Sequence, residues 1–289
     1  DRSFTVTGAG LIATGTVYSG AVRVGDHLIV SPSGLEVRVR GIHAQNQASE
    51  TGVAGQRCAL NIVGQDIRKS QIHRGDWLLS AAAHAPTDRL DARIQVAASE
   101  AKALRHWTPA HLHVGADDVT CRIAVLEGGA IAPGETGLVQ VVLDSPIGAL
   151  RGDRIIVRDQ SARRTMAGGE IIDPFSPKRG RAKPERLAHL AGMAKPTPGE
   201  ALAELLNAKA EGVDLRQFAR AWNLTQPEAD EIWSDAEFQH LKTASSAWGL
   251  SPEHWRDLTT SVLGTVHLPH ASGTEGGDHF VVTELCACF

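Results

Sequence analysis

Glycine punctuates the first thirty residues so closely that no crossover helix fits between the apolar runs. Breaks fall at Gly8-Ala9-Gly10, Ser19-Gly20 and Gly25-Asp26, where glycine supplies the positive φ that tight hairpins need. Between them Phe4 and Val6 alternate with Thr5 and Thr7, and Leu11 to Tyr18 is rich in Val, Ile, Thr and Tyr, the composition of a pleated, half-buried surface. Short strands at this spacing predict an antiparallel barrel rather than a doubly wound sheet.

The pattern continues downstream. Leu35, Val37 and Val39 alternate with Glu36, Arg38 and Arg40, a strand with one apolar face. Gly41 to Gln47 reads as a polar loop, and Cys58 to Val63 as a further strand with Arg57 at its mouth. Val24-Gly25-Asp26-His27, Arg74-Gly75-Asp76-Trp77 and Arg151-Gly152-Asp153-Arg154 echo one another as turns that feed strands. Small residues and Pro86 between 81 and 87 mark a linker. Alternation resumes from Leu90 and lasts to Asp173-Pro174.

The expected organisation is therefore a β-barrel over 1–85, a second over 86–175, a basic linker over 176–184, a helical domain over 185–267 and a divergent or disordered tail over 268–289. Thr197-Pro198-Gly199-Glu200 combines a capping residue, a first-turn proline and an acid three residues after the cap. Asp214 can cap a helix over Leu215 to Trp222, and Thr225-Gln226-Pro227-Glu228 opens a third. Three short helices at this spacing suggest a winged-helix-like unit. The third carries Glu228, Asp230, Glu231, Asp235 and Glu237 and no Lys or Arg, which favours a spacer over a DNA reader.

A formal charge of −4 from 29 basic and 33 acidic residues excludes a protein coated for indiscriminate nucleic-acid binding. Any such contact is local. The strongest local cluster is Arg151, Arg154, Arg158, Arg163 and Arg164, equally readable as an RNA-backbone contact or as an edge guarded by charge. Cys58 and Cys121 fall in expected strands and read as reduced, buried thiols. His111 and His113 share a strand face without a third ligand at a suitable spacing, and Cys286 and Cys288 lie in the tail, so no metal site is expected. No apolar run approaches the roughly 20 residues of a membrane span, and a soluble, cytoplasmic chain without membrane contact is expected.

Taken together, DRSFTVTGAGLIATGTVYSGAVRVGD, GIHAQNQ, AGQRCALNI, RGDWLL and RDQSARRTMAGGEIID resemble the bacterial selenocysteine-specific elongation factors (SelB). The likeness runs from Asp1 to about Pro184 and more loosely through the helical part. It implies a mainly β chain with an α-helical C-terminal part: two consecutive antiparallel barrels of the translation-factor domain II and domain III type, then a winged-helix-like domain. In that family a GTPase domain comes first and further winged helices follow, the last binding the selenocysteine-insertion hairpin of messenger RNA. The chain holds no glycine-rich loop ending in Gly-Lys and Ser or Thr, so this stretch is expected to bind no cofactor and to hydrolyse no GTP. GTP and magnesium are expected for the full-length protein.

The resemblance also implies partners and a site. The family binds selenocysteinyl-transfer RNA and works on the ribosome, and its selenocysteine pocket matches Asp1, Arg2 and Arg57, with His43 as a possible neighbour. The chemistry is coherent, because a selenol is ionised at neutral pH where its seryl precursor is not. Guanidinium groups favour the anion, and a site built round a charge rejects the neutral analogue. Without the resemblance, Asp1-Arg2 reads as a surface ion pair and Arg57 as a barrel-rim residue. The rivals are the same barrels in a general factor for ordinary aminoacyl or initiator transfer RNA, and a β-barrel regulator with a DNA-binding helix-turn-helix.

Overall fold

The opening alternation becomes β1 (Arg2–Val6) and β2 (Gly10–Ser19), antiparallel with Arg2 opposite Thr14 and Val6 opposite Gly10. A computed structural model describes residues 1–208, 213–224, 228, 231, 232 and 282–284, apart from 66, 69 and 70. Strands β3 (Ala21–Arg23), β4 (His27–Ser31), β5 (Leu35–Ala44), β6 (Gln47–Ser49), β7 (Thr51–Val53), β8 (Arg57–Val63) and β9 (Trp77–Leu79) follow. β8 joins β2 to β5, and β5 continues through β4 to β9. Residues Val282–Glu284, named β18, lie between β9 and β2 and close the ring. Inward residues such as Val17, Val30, Val39, Leu60 and Ile62 fill its core.

The segment from Gly41 to Gln47 differs from the expected loop. β5 runs through a bulge between Val39 and Gly41 as far as Ala44 and turns at Gln45 and Asn46, both at positive φ, into β6. An Asn in the left-handed region makes such a two-residue turn affordable without glycine at both positions. His43 is therefore a strand residue.

The second barrel is closed by β10 (Thr87–Val96), β15 (Thr136–Ile147), β13 (Asp117–Val125), β12 (Thr108–Val114), β16 (Arg154–Asp159) and β17 (Thr165–Asp173), taken round the ring. A small pair, β11 (Leu104–Arg105) and β14 (Ala130–Ile131), sits beside it. Leu90, Ile94, Leu112, Ile123, Val141 and Ile155 are fully or nearly fully buried inside. The barrels pack together where Trp77 lies against Gly148, a Cβ on which would come 2.8 Å from the indole.

After β17 the chain does not run free. Pro174 is buried, the Phe175 amide donates to Asp173 at 2.8 Å, and the buried Gln140 side chain donates to the Pro177 carbonyl at 3.2 Å. The basic stretch is a strap laid on the second barrel.

A separate unit begins at Pro184. Its α1 (Pro184–Met193) was not among the expected helices, although Pro at the first position and Leu187, Leu190 and Met193 on one face are its signal. α2 (Pro198–Ala208) starts where the Thr197 hydroxyl accepts from the Glu200 amide at 3.3 Å. α3 (Leu215–Trp222) is capped by Asp214, which accepts from Gln217 at 3.0 Å, and ends at Asn223 in the left-handed region. Leu190, Met193, Ala201, Leu202 and Leu205 are buried in this unit. Apart from residues 228, 231 and 232, the third expected helix, from Thr225, lies outside the described residues, as does all of the tail but 282–284.

Candidate functional site on the first barrel

Arg57 opens β8 opposite Thr16 of β2, and Arg2 opens β1 opposite Thr14. Directly paired residues share a sheet face, and so do residues two apart on one strand. Arg2, Thr14, Thr16 and Arg57 thus stand on one outer face, the arginines flanking β2 at roughly 12 Å, two strand spacings across and two residues along.

The strand pairing also brings in Asp1. Its carboxylate accepts from the Arg57 guanidinium, a partner 56 residues away. The Asp1 side chain keeps 12% of its surface exposed and that of Arg57 56%. The acid is covered while the cation keeps an open side toward solvent, the disposition of a group able to accept a second anion.

His43 lies opposite Ala59 on β8, two residues from Arg57 and on its face. The Gln45 amide donates to the Arg57 carbonyl at 3.0 Å, which ties the β5–β6 turn to the rim. Beside these groups is a cleft of about 440 Å³ lined by His43, Ile12, Arg40, Glu50, Ala59 and Asn61, among others. Asn61 donates to the Ala9 carbonyl at 2.9 Å and fixes the β1–β2 turn at its edge. Sequence reading missed Ile12, Arg40, Glu50 and Asn61. Their signal was the small residues Ala48 and Ala59 at outward strand positions, where a long polar side chain is usual and would fill the space. The arrangement offers a cationic rim next to a mixed apolar and polar cleft.

Beneath it Cys58 is a buried free thiol whose pKa is raised by burial. A Cβ on Gly52 would come 2.6 Å from its sulfur, so the thiol is a packing group. Cys121 in the second barrel is likewise free and pushed up to about 12, first by burial and then by Asp144.

The five arginines of the second barrel lie along β16 and the turns that flank it. Arg154 opens β16 and Arg158 lies four residues on, about 13 Å away at strand rise. Arg164 donates from Nη1 to both carboxylate oxygens of Glu100, at 2.8 and 2.7 Å. Asp159 accepts from the Ser161 hydroxyl and from the Arg164 and Arg163 amides, which hold its carboxyl down at about 2. Arg154 is highly exposed with Glu170 at 3.9 Å, and partial burial lowers the pKa of Arg151. Across the same barrel Asp118 bridges the two histidines, at 2.8 Å from His111 and 3.8 Å from His113. Among the described residues no three His, Cys, Asp or Glu form a metal-holding group, and no helix is long and apolar enough to cross a membrane.

Comparison with known proteins gives this geometry its context. Residues 91–178 match the family model of the selenocysteine-specific elongation factor β-barrel domain, and residues 10–79 that of elongation factor Tu domain 2. The selenocysteine-specific elongation factor of Escherichia coli K12 is 42% identical over 275 residues, and that of Haemophilus influenzae 32% identical over 271. Each alignment takes in 93% of this chain and 42% of the relative, so the chain spans less than half of their length. The crystal structure of apo elongation factor SelB from Methanococcus maripaludis matches 62% of this chain and 42% of its own, with a TM-score of 0.51 and 26% identity. Sup35 complexed with GDP shares the fold alone, with a TM-score of 0.54 at 18% identity over 61% of this chain and 46% of its own. Two barrel models matched in consecutive order, and identity sustained along nearly the whole sequence, lead to one conclusion: the chain belongs to the selenocysteine-specific elongation factor family.

Proposed function

We propose that the rim of the first barrel holds the aminoacyl end of selenocysteinyl-transfer RNA, as part of a cytoplasmic factor that delivers it to the ribosome at recoded UGA codons in a GTP-dependent manner. The observation that carries this reading is the Asp1–Arg57 pair, with its covered acid and open cation, on one face with Arg2 and beside a cleft. Arg57 and Arg2 favour a selenolate, and a neutral seryl hydroxyl offers the open sides of these cations no charge, which disfavours the seryl ester. Asp1 orients Arg57. His43 stands at the cleft wall. GTP with magnesium, and the messenger-RNA hairpin, are bound by parts of the protein other than these barrels. Arg151, Arg154, Arg158 and Arg163 contribute backbone contacts, and Arg164 fewer because Glu100 already holds it.

The test is spontaneous hydrolysis of the aminoacyl ester on selenocysteine transfer RNA, charged with selenocysteine or with serine, in the presence of this chain or its Arg57→Ala variant. Selective protection of the selenocysteinyl ester, lost in the variant, is the expected result. Equal protection of both esters favours a general aminoacyl-transfer-RNA factor. Protection of neither rejects the rim as an autonomous site.

A further inference from the structure

Trp107 occupies the turn between β11 and β12 with φ at +68°, and 41% of it is exposed. A bulky residue at positive φ is an outlier, of a kind that costs on the order of 1–3 kcal/mol and persists only where the surroundings impose it. Here they do. The Trp107 amide donates to the Ile123 carbonyl at 2.7 Å, the His106 amide to Gly129 at 2.9 Å, and His106 Nδ1 lies 3.0 Å from the Val125 carbonyl. The indole is thereby held outward, and the Arg181 guanidinium sits over it, 5.3 Å from the ring centroid.

Arg181 belongs to the strap, whose sequence from Pro174 to Pro184 carries Lys178, Arg179, Arg181 and Lys183 and no acid. The strap is fastened at Asp173, at Gln140 and at Trp107, and it turns at Gly180, where the Lys183 amide donates to the Gly180 carbonyl at 3.1 Å. Lys178, Arg179 and Lys183 are exposed. Arg164, like Arg57, shares its charge with a covered carboxylate while keeping an open side, whereas the guanidinium stacked on the indole has its charge offset by no acid among the described residues.

We propose that Lys178, Arg179, Arg181 and Lys183, mounted on Trp107, form a contact surface for the sugar-phosphate backbone of a structured RNA. This deepens the transfer-RNA reading and rests on it for the identity of the RNA. Fastening the strap in advance removes the ordering cost that a free basic linker would meet on binding. Non-sequence contacts of this kind position an RNA.

The experiment uses the whole chain and unacylated selenocysteine transfer RNA, with binding measured from about 20 to 200 mM salt. The comparison is with Lys178→Ala/Arg179→Ala/Lys183→Ala and with Trp107→Ala. Each lost phosphate contact reduces the slope of log affinity against log salt by about 0.7–0.9, so the triple variant is expected to lose about 2–3 units of slope. Trp107→Ala keeps every strap cation, so it is expected to keep the slope, bind several-fold more weakly, and let trypsin cut at the strap. An unchanged slope in the triple variant overturns the inference. So does the absence of salt-dependent binding in the unaltered chain, or strap cleavage equally fast with and without Trp107. Loss of ester discrimination alone would strike the rim reading and leave this one standing.

Discussion

Asp117, the first residue of β13, lays its carboxyl against the backbone of Gly75, so that a Cβ on Gly75 would need the space Asp117 fills. The two barrels meet here with glycine facing acid. Gly75 also has φ at +99°, so Gly75→Ala meets left-handed strain and collision together. The expected cost is on the order of 2–3 kcal/mol in urea unfolding, with the single transition of the barrel pair broadening as the two part.

The same acid makes stability depend on pH. Burial first, and then the charge of Asp76, push the Asp117 carboxyl up to about 6, while His73 pulls the other way. Between the ordinary aspartate value of 3.8 and about 6 the folded chain holds a proton that the unfolded chain has released, so stability falls as pH rises through this window and is level above it. Discounted for the part of the group that faces water, the loss is on the order of 1–2 kcal/mol. Asp117→Asn is expected to flatten the urea midpoint between pH 4 and 6.5 and to raise it at pH 8.

Asp76 stands in the second of three matching turns. Asp26 accepts from the Arg23 amide at 2.7 Å, Asp76 from His73 at 2.7 Å and Asp153 from Leu150 at 2.8 Å, each after a glycine at positive φ. Removing the carboxylate by Asp26→Ala or Asp153→Ala is expected to cost about 1 kcal/mol. Asp76→Ala loses the same bond but also a charge beside Asp117, so its cost is expected to be smaller at pH 8 than at pH 5. Equal costs at both pH values would show that the two acids do not couple.

Those turns were legible because a short sequence, glycine then aspartate then a strand, specifies them locally. So were the capped helices at Thr197 and Asp214, and the alternating strands. Other features were hidden for physical reasons. The β5–β6 hairpin looked like a loop because its turn uses Gln45 and Asn46 instead of glycine, and a bulge breaks the alternation at Arg40. The strap looked like a linker because its composition is that of one, and only tertiary partners, Gln140 and Trp107, fix it. At the rim, Asp1, Arg2 and Arg57 came from family likeness. Their common face follows from β1 and β8 both pairing with β2, a long-range register that local pattern does not encode.

Close packing without special backbone gives a sharper case. A Cβ on Gly169 of β17 would come 2.7 Å from the Ile94 Cα and closer still to the Arg93 carbonyl oxygen, all of it backbone of the adjacent β10. No rotamer change relieves such a contact, so Gly169→Ala must part β10 from β17 and open the second barrel, where Ile94 is fully buried. A loss on the order of 3 kcal/mol is expected, seen as a lower urea midpoint followed by tryptophan fluorescence. Gly199, in the first turn of α2, has nothing within 4 Å of its would-be Cβ. Gly199→Ala is therefore expected to be neutral or stabilising by up to about 1 kcal/mol, read as helical circular dichroism on heating. If both glycines tolerated alanine, the β10–β17 spacing that closes the second barrel would be looser than these contacts require.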